Sequence, residues 1–212
     1  MQLFEEYRPK SWADFIGQDK AIRSIRAIVE RAGFDRGCFL FTGPSGSGKT
    51  SAAFVLARSL GVHPLHVDTV VARGCTLDSL KTLEDEAHYA PMTGWGKLYL
   101  IDECHTVSSA GKDYLLGLAE RLPARRIIVG TSTEPSGGFD ETLFSRLFRV
   151  AFAKPHSAAI EAHLRRVGAE LGFDPPDFNW RRFVQERHNN VRLCLADLEI
   201  EVAAARLEPV GA

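Results

Sequence analysis

The chain has 212 residues, is 45% hydrophobic and 25% charged, and carries a formal net charge of −1. This ordinary globular composition has room for one large domain or two small ones. Its near-neutral balance excludes a globally basic nucleic-acid binder, so a DNA partner needs a local basic face or the summed lining of an oligomer. No apolar run approaches a membrane span, the first residues are not a signal peptide, and Cys38, Cys75, Cys104 and Cys194 form no C-x-x-C pair, which reads as a cytoplasmic protein with reduced thiols.

Residues 4–18 lack clear periodicity but repeat aromatics. They read as an extended arm pinned to the core by Trp12 and Phe15 and ending in a turn near Gly17. Residues 19–31 place Ile22, Ile25, Ile28 and Val29 at helical spacing. The run Cys38-Phe39-Leu40-Phe41 predicts a buried strand, and residues 51–58 a helix. Between them lies Gly43-Pro44-Ser45-Gly46-Ser47-Gly48-Lys49-Thr50, which fits G-x-x-x-x-G-K-[ST], the phosphate-binding P-loop. Its glycines let backbone N–H groups converge on phosphate oxygens, and the helix opening at Ser51 favours negative charge at its N-terminus. Lys49 is expected to reach the β- and γ-phosphates, and the Thr50 hydroxyl to ligate Mg²⁺.

Residues 65–70 alternate like a second strand, 76–89 read as a helix and 91–96 as a loop. Residues 97–105 form an apolar strand ending in Asp102-Glu103. Asp102 is assigned to the Mg²⁺ shell, and Glu103 to the general base that polarises the attacking water. Adjacent strand side chains point to opposite faces, so both can serve one site only where the strand ends and its backbone turns. Cys104 and His105 read as packing and loop residues. Residues 111–122 predict a short helix. Residues 127–129 predict a buried strand ending in Gly130-Thr131-Ser132-Thr133-Glu134, whose hydroxyls suit a γ-phosphate or its attacking water, or equally a turn cap. Residues 150–152 form a fifth apolar run. Strands alternating with helices predict an α/β domain with a parallel sheet and its ligand at the carboxyl ends of the strands. Beyond Lys154-Pro155 the strand signal stops. Helices are expected at 157–169, at 178–187 and from the Asn189-Asn190 cap to about Leu207. The reading is two units, 1–153 and 154–212, the second a small three-helix lid with Arg192 one turn into its last helix.

Together these residues resemble the AAA+ ATPases, and within them the clamp-loader ATPase subunits of the replication factor C small-subunit and DNA polymerase III gamma/tau kind. Tyr7-Arg8-Pro9 with Phe15-Ile16-Gly17-Gln18 looks like the "YRP…F…GQ" arm, which in that family lies along the adenine. Ser145-Arg146 looks like the "SRC" motif, with Leu147 in place of its cysteine. Asp102-Glu103 matches the Walker B "DE", and Arg192 the sensor-2 arginine, preceded by Asn189 where glycine is common. The resemblance implies a five-stranded parallel sheet flanked by helices, followed by the lid. It implies ATP and Mg²⁺ as ligands, with Tyr7, Arg8, Pro9, Ile16, Gly17, residues 43–50 and Ser51 around the nucleotide. It makes Arg146 a trans arginine finger that reaches a neighbouring subunit's γ-phosphate, and places sensor 1 at Ser132 within Thr131-Ser132-Thr133.

The implied work is loading a sliding clamp on primer-template DNA during replication, with other AAA+ subunits, from an ATPase that is slow in isolation. The family's helical collar domain has no counterpart in this sequence, so assembly is expected to rest on ATPase-domain contacts or on other subunits. Rival readings are another AAA+ DNA motor of the branch-migration type, which opens on a similar arm, and a nucleotide-binding structural subunit. A small-molecule kinase is disfavoured by the adjacent "DE", the lid and the arm. Lys81, Lys112 and Arg121 are basic candidates for DNA contact.

Overall fold

The structure, a computed structural model, describes residues 2–71, 76–91, 93–135 and 145–207. Cys75 and Met92, the latter in the predicted 91–96 loop, lie outside them. The sheet has five parallel strands: β1 (Arg36–Thr42), β2 (Val67–Val71), β3 (Lys97–Asp102), β4 (Arg126–Ser132) and β5 (Phe148–Ala151). Their order is β2-β3-β4-β1-β5. β1 lies between β4 and β5, with Thr42 level with Ser132 on one side and Ala151 on the other. This brings the end of the first strand, where the P-loop begins, beside the ends of β3 and β4.

Alternation along the strands sorts side chains onto two faces. Phe39 and Phe41 join Leu98, Leu100, Ile127 and Val129 in one core, covered by α2 (Asp19–Val29) and α3 (Lys49–Ser59). Cys38 and Leu40 join Tyr99, Ile101 and Ile128 in the other, covered by α4 (Leu77–His88) and α5 (Ser109–Arg121). Helix starts follow their side chains: the Thr76 and Ser108 hydroxyls accept from the backbone N–H groups of Ser79 and Gly111.

The C-terminal helices α6 (Ser157–Glu170), α7 (Trp180–Glu186) and α8 (Val191–Leu207) have a core of their own, built on Ile160, Leu164, Trp180, Val184, Leu195 and Leu198. The arm departs from the extended course expected of it. Leu3–Glu6 forms a helical turn, α1, and Trp12–Asp14 a 3₁₀ turn in which Asp14 Oδ2 accepts from the N–H groups of Lys10 and Ser11. Trp12 and Phe15 pack on the sheet domain as expected, whereas Phe4, Tyr7 and Ile16 pack on the lid. The second strand also starts later than its alternation suggested. Pro64–His66 is a 3₁₀ turn, with Pro64 pre-set for it and the His63 ring accepting from Leu65 N–H.

Candidate nucleotide-binding site

The P-loop runs from the end of β1 to the start of α3. Gly43, Gly46 and Gly48 all take positive φ, the last as the left-handed N-cap of α3. A side chain at Gly43 would sit 2.3 Å from the Phe152 carbonyl, and one at Gly46 would sit 2.0 Å from Asn190 Oδ1 of the lid. These glycines thus permit close backbone approach as well as unusual torsions. Lys49 is only 6% exposed. Its Nζ donates to the carbonyls of Gly43 and Pro44 at 2.8 and 2.9 Å, which lays the side chain along the loop's concave side. Burial pushes the ammonium below its ordinary pKa, and Arg192 adds to this, while Glu103 and Asp102 act against it.

Thr50 and Asp102 meet across the loop, Oγ1 to Oδ1 at 3.2 Å. Asp102 Oδ1 also accepts from the wholly buried Thr131 hydroxyl. A hydroxyl and a carboxylate, both hard oxygen donors, are what Mg²⁺ takes beside phosphate oxygens, so this pair fits the metal expected there. Ser47 Oγ is buried in the loop without a hydrogen-bond partner, a polar atom that a bound phosphate would satisfy. Glu103 has φ 57°, in the left-handed region. That turn brings both carboxylates to one pocket, lined by Ser45, Gly46, Gly48, Lys49, Thr50, Ser51, Asp102, Glu103 and Arg192. Holding a glutamate there costs of order 1 kcal/mol or more, and the backbone is fixed by Glu103 N–H donating to Thr131 Oγ1 at 3.2 Å.

A second pocket continues from Gly46, Ser47, Gly48, Ser51 and Arg192 to the arm and lid. Tyr7, Arg8, Pro9, Phe15 and Ile16 line it from the arm, and His163, Val191 and Leu195 from the lid. Arg192 lines both pockets. Tyr7 OH donates to Glu170 Oε2 at 2.8 Å; burial first and this carboxylate second push the phenol up to about 12. Gly17 takes φ 64° with the Pro155 side chain against it, and Gln18 next to it is buried. The Gln18 amide donates to Ala153 O at 2.7 Å and accepts from Ala153 N–H at 3.2 Å, so it ties the arm to the start of the lid connection. Asn189 and His188 are both left-handed, which fits the tolerance expected of asparagine here. Asn189 Nδ2 donates to Pro155 O, its Oδ1 accepts from Ser157 Oγ, and Asn190 Oδ1 caps Leu193 N–H.

Among the hydroxyls after β4, Thr131 serves Asp102 and Thr133 Oγ1 lies 3.5 Å from Glu103 Oε2. Ser132, the expected sensor-1 residue, has its Oγ 3.2 Å from His105 Nδ1 and accepts from Glu134 N–H at 3.0 Å. Arg146 lies outside both pockets, exposed at the sheet's rim and ion-paired with Glu120 of α5. Of the basic candidates, Arg121 pairs with Glu84, Lys81 lies 3.7 Å from Asp78, and Lys112 Nζ donates to His105 O. Cys38, Cys104 and Cys194 are free thiols in the cores; burial raises all three, the first two to about 12, which keeps them protonated. Sequence reasoning passed over Gln18 and His105 as site-shaping groups, and it read Thr131 and Thr133 as part of a hydroxyl cluster without their links to Asp102 and Glu103. Gln18 stood in plain sight within the arm motif, whereas the contacts of His105, Thr131 and Thr133 arise from the pairing of β3 with β4.

Residues 7–134 match the family described as "Holliday junction DNA helicase RuvB P-loop domain". The chain belongs to this family of AAA+ P-loop ATPases. It is 30% identical to DNA polymerase III subunit gamma/tau of Mycobacterium bovis over 196 residues, which take in 81% of this chain and 34% of that protein. It is 26% identical to the replication factor C large subunit of Methanocella arvoryzae over 204 residues, 92% of this chain and 35% of that one. This AAA+ chain thus spans about a third of the length of these curated relatives. The fold resembles the Thermotoga maritima RuvB Holliday junction branch migration motor, with a TM-score of 0.74 and 20% identity over 91% of this chain and 64% of that one. A point mutant of RuvB overlays with a TM-score of 0.78 at 18% identity, covering 97% of this chain and 70% of that one. Among the described residues no helix is long and apolar enough to cross a membrane.

Proposed function

We propose that this chain hydrolyses ATP as a cytoplasmic clamp-loader-type AAA+ subunit, loading a sliding clamp on primer-template DNA from an assembly with other such subunits. The observation that carries the ATPase reading is the convergence of Lys49, Thr50, Asp102 and Glu103 on one pocket at the carboxyl ends of β1 and β3. In this reading the arm and lid hold the adenine, with Tyr7, Arg8, Pro9, Ile16 and Gly17 along it, and residues 43–51 surround the phosphates, which loop N–H groups bind; Pro44 has none to give. Thr50 and Asp102 would hold Mg²⁺, which neutralises charge on the phosphate oxygens. Glu103 takes the proton of the attacking water, and Arg192 contacts phosphate from the lid. Thr133 acts on Glu103 directly and Ser132 through His105. Arg146 completes the neighbouring subunit's site, so an isolated chain turns over slowly. The clamp-loader assignment is supported by relatives named as polymerase III and replication factor C subunits. A branch-migration motor is the second reading, favoured by the RuvB family match and fold likeness.

The deciding experiment is steady-state ATP turnover of the chain alone, with primed DNA, with primed DNA plus a sliding clamp, and with a four-way junction. Stimulation that needs primed DNA and clamp together is expected. Stimulation by the junction without a clamp would replace this reading with the motor. Turnover that none of these raises, together with tight ATP binding, would leave a nucleotide-binding structural subunit.

A further inference from the structure

Resting on the assignment of Glu103 as the base, we propose that His105 is a positioning residue that holds the Glu103 carboxylate at the phosphate pocket, with Ser132 setting the ring's orientation. His105 sits in the 3₁₀ turn Cys104–Thr106 directly after β3, and its ring is largely shielded, 17% exposed. One ring nitrogen, Nδ1, faces two oxygens: Ser132 Oγ at 3.2 Å and Glu103 Oε2 at 3.4 Å. A carboxylate can only accept, so a bare lone pair on Nδ1 would be repelled by it. The partners therefore select the form that carries the proton on Nδ1, donated to Ser132 Oγ with the Glu103 carboxylate beside it at 3.4 Å.

Ser132 is suited to anchor the ring. It is wholly buried, at the end of a central strand, and its Oγ already accepts the Glu134 N–H. The second lone pair of that oxygen is free for the Nδ1 proton. Lys112 of α5 fixes the far side of the turn through the His105 carbonyl at 3.1 Å. Among the described residues, the charged groups acting on this turn at Cys104 are Lys112, Glu103 and Asp102. At 3.4 Å the contact to Glu103 lies beyond the best hydrogen-bond range. It therefore steers the carboxylate without locking it, which suits a base that must turn to a water.

The test compares replacements at one position. His105→Asn keeps an N–H donor near the place of Nδ1, whereas His105→Phe keeps the ring's bulk and loses the donor. If the histidine steers Glu103, the phenylalanine variant loses about ten- to a hundredfold in kcat with ATP affinity unchanged, and the asparagine variant retains most of the wild-type rate. Ser132→Ala costs less, and adds little on top of His105→Phe, because both act on one carboxylate. A packing role gives the opposite order, with phenylalanine tolerated and asparagine harmful, and that result overturns the proposal. A second readout needs no turnover and so separates this inference from the ATPase reading. Long-range ¹H–¹⁵N correlation of the histidine-labelled, nucleotide-free chain is expected to find Nδ1 of His105 protonated, with that population falling in Glu103→Leu. A wild-type ring bearing its proton on Nε2 alone would show that it cannot donate to Glu103.

Discussion

The two ends of the same sheet are built to opposite rules. At the amino ends of β3 and β4, Arg126 is 4% exposed and donates to the carbonyls of Ala87 and Tyr89 at 2.7 and 2.8 Å, and to those of Ala124 and Arg125 at 3.3 and 3.0 Å. It closes the C-terminus of α4 with a buried cation, where helix carbonyls otherwise lack partners. At the carboxyl ends the groups are left incompletely matched. Glu103 is strained and half-exposed, Ser47 Oγ lacks a partner, and Lys49 rests on carbonyls beside two carboxylates. Arg126 spends its donors on carbonyls of the fold, although the buried Tyr99 hydroxyl near it has no hydrogen-bond partner among the described residues. The carboxyl ends instead gather a strained glutamate and a lysine at one pocket, with a second unpartnered hydroxyl, that of Ser47, in the loop that lines it.

The comparison can be broken first at Lys49. Lys49→Ala is expected to weaken ATP binding on the order of a hundredfold or more in a fluorescent-nucleotide titration, without lowering the urea midpoint. Near-normal affinity would remove the P-loop assignment. Next, Arg146→Ala leaves binding intact and lowers turnover in the assembled state by a factor on the order of a thousand, while the isolated chain changes little. Mixing in wild-type subunits does not rescue the site that the mutant arginine faces; normal turnover would end the trans-finger reading. At the other end, Arg126→Leu is expected to cost roughly 2–4 kcal/mol in urea unfolding, because two helix-end carbonyls lose their donors in a buried place. The folded fraction should keep its nucleotide affinity, and a loss of affinity would mean the two ends are coupled.

The smallest effect sharpens the contrast most. Arg125, just before β4, is exposed and left-handed at φ 58°, much like Glu103 at 57°. Arg125→Gly and Glu103→Gly should each gain about 0.5–1 kcal/mol by relieving the same backbone conformation. Only the second should abolish turnover. Equal activity in both variants would deny Glu103 its role as base.

The sheet was legible because its strands are short apolar runs bounded by turn residues, and because a P-loop needs a strand before it and a helix after it. Asp102 and Glu103 were legible through that same order. What escaped is what pairing in space creates. His105 looks like a loop residue until β3 lies beside β4, and Arg126 looks like a surface arginine until α4 ends over it. Glu120 lies 26 residues from Arg146, and no local pattern joins them. The helical turn Leu3–Glu6 is too short for periodicity to register, and it owes its place to the lid: Leu3 is buried, and its N–H donates to Glu199 Oε2 at 3.0 Å.

That last contact makes the arm more than a lining of the pocket beside the P-loop. Its first half is fastened to the lid at Glu199 and Glu170, and its second half to the sheet domain through Gln18 and Ala153. The chain also crosses between the two bodies at residues 153–157. Two bodies joined by a hinge and a short strap form a closed linkage, which permits fewer rotations than a hinge alone. The helical unit is thus held to the sheet at two places, and any displacement of one against the other has to strain the strap as well as the 153–157 crossing.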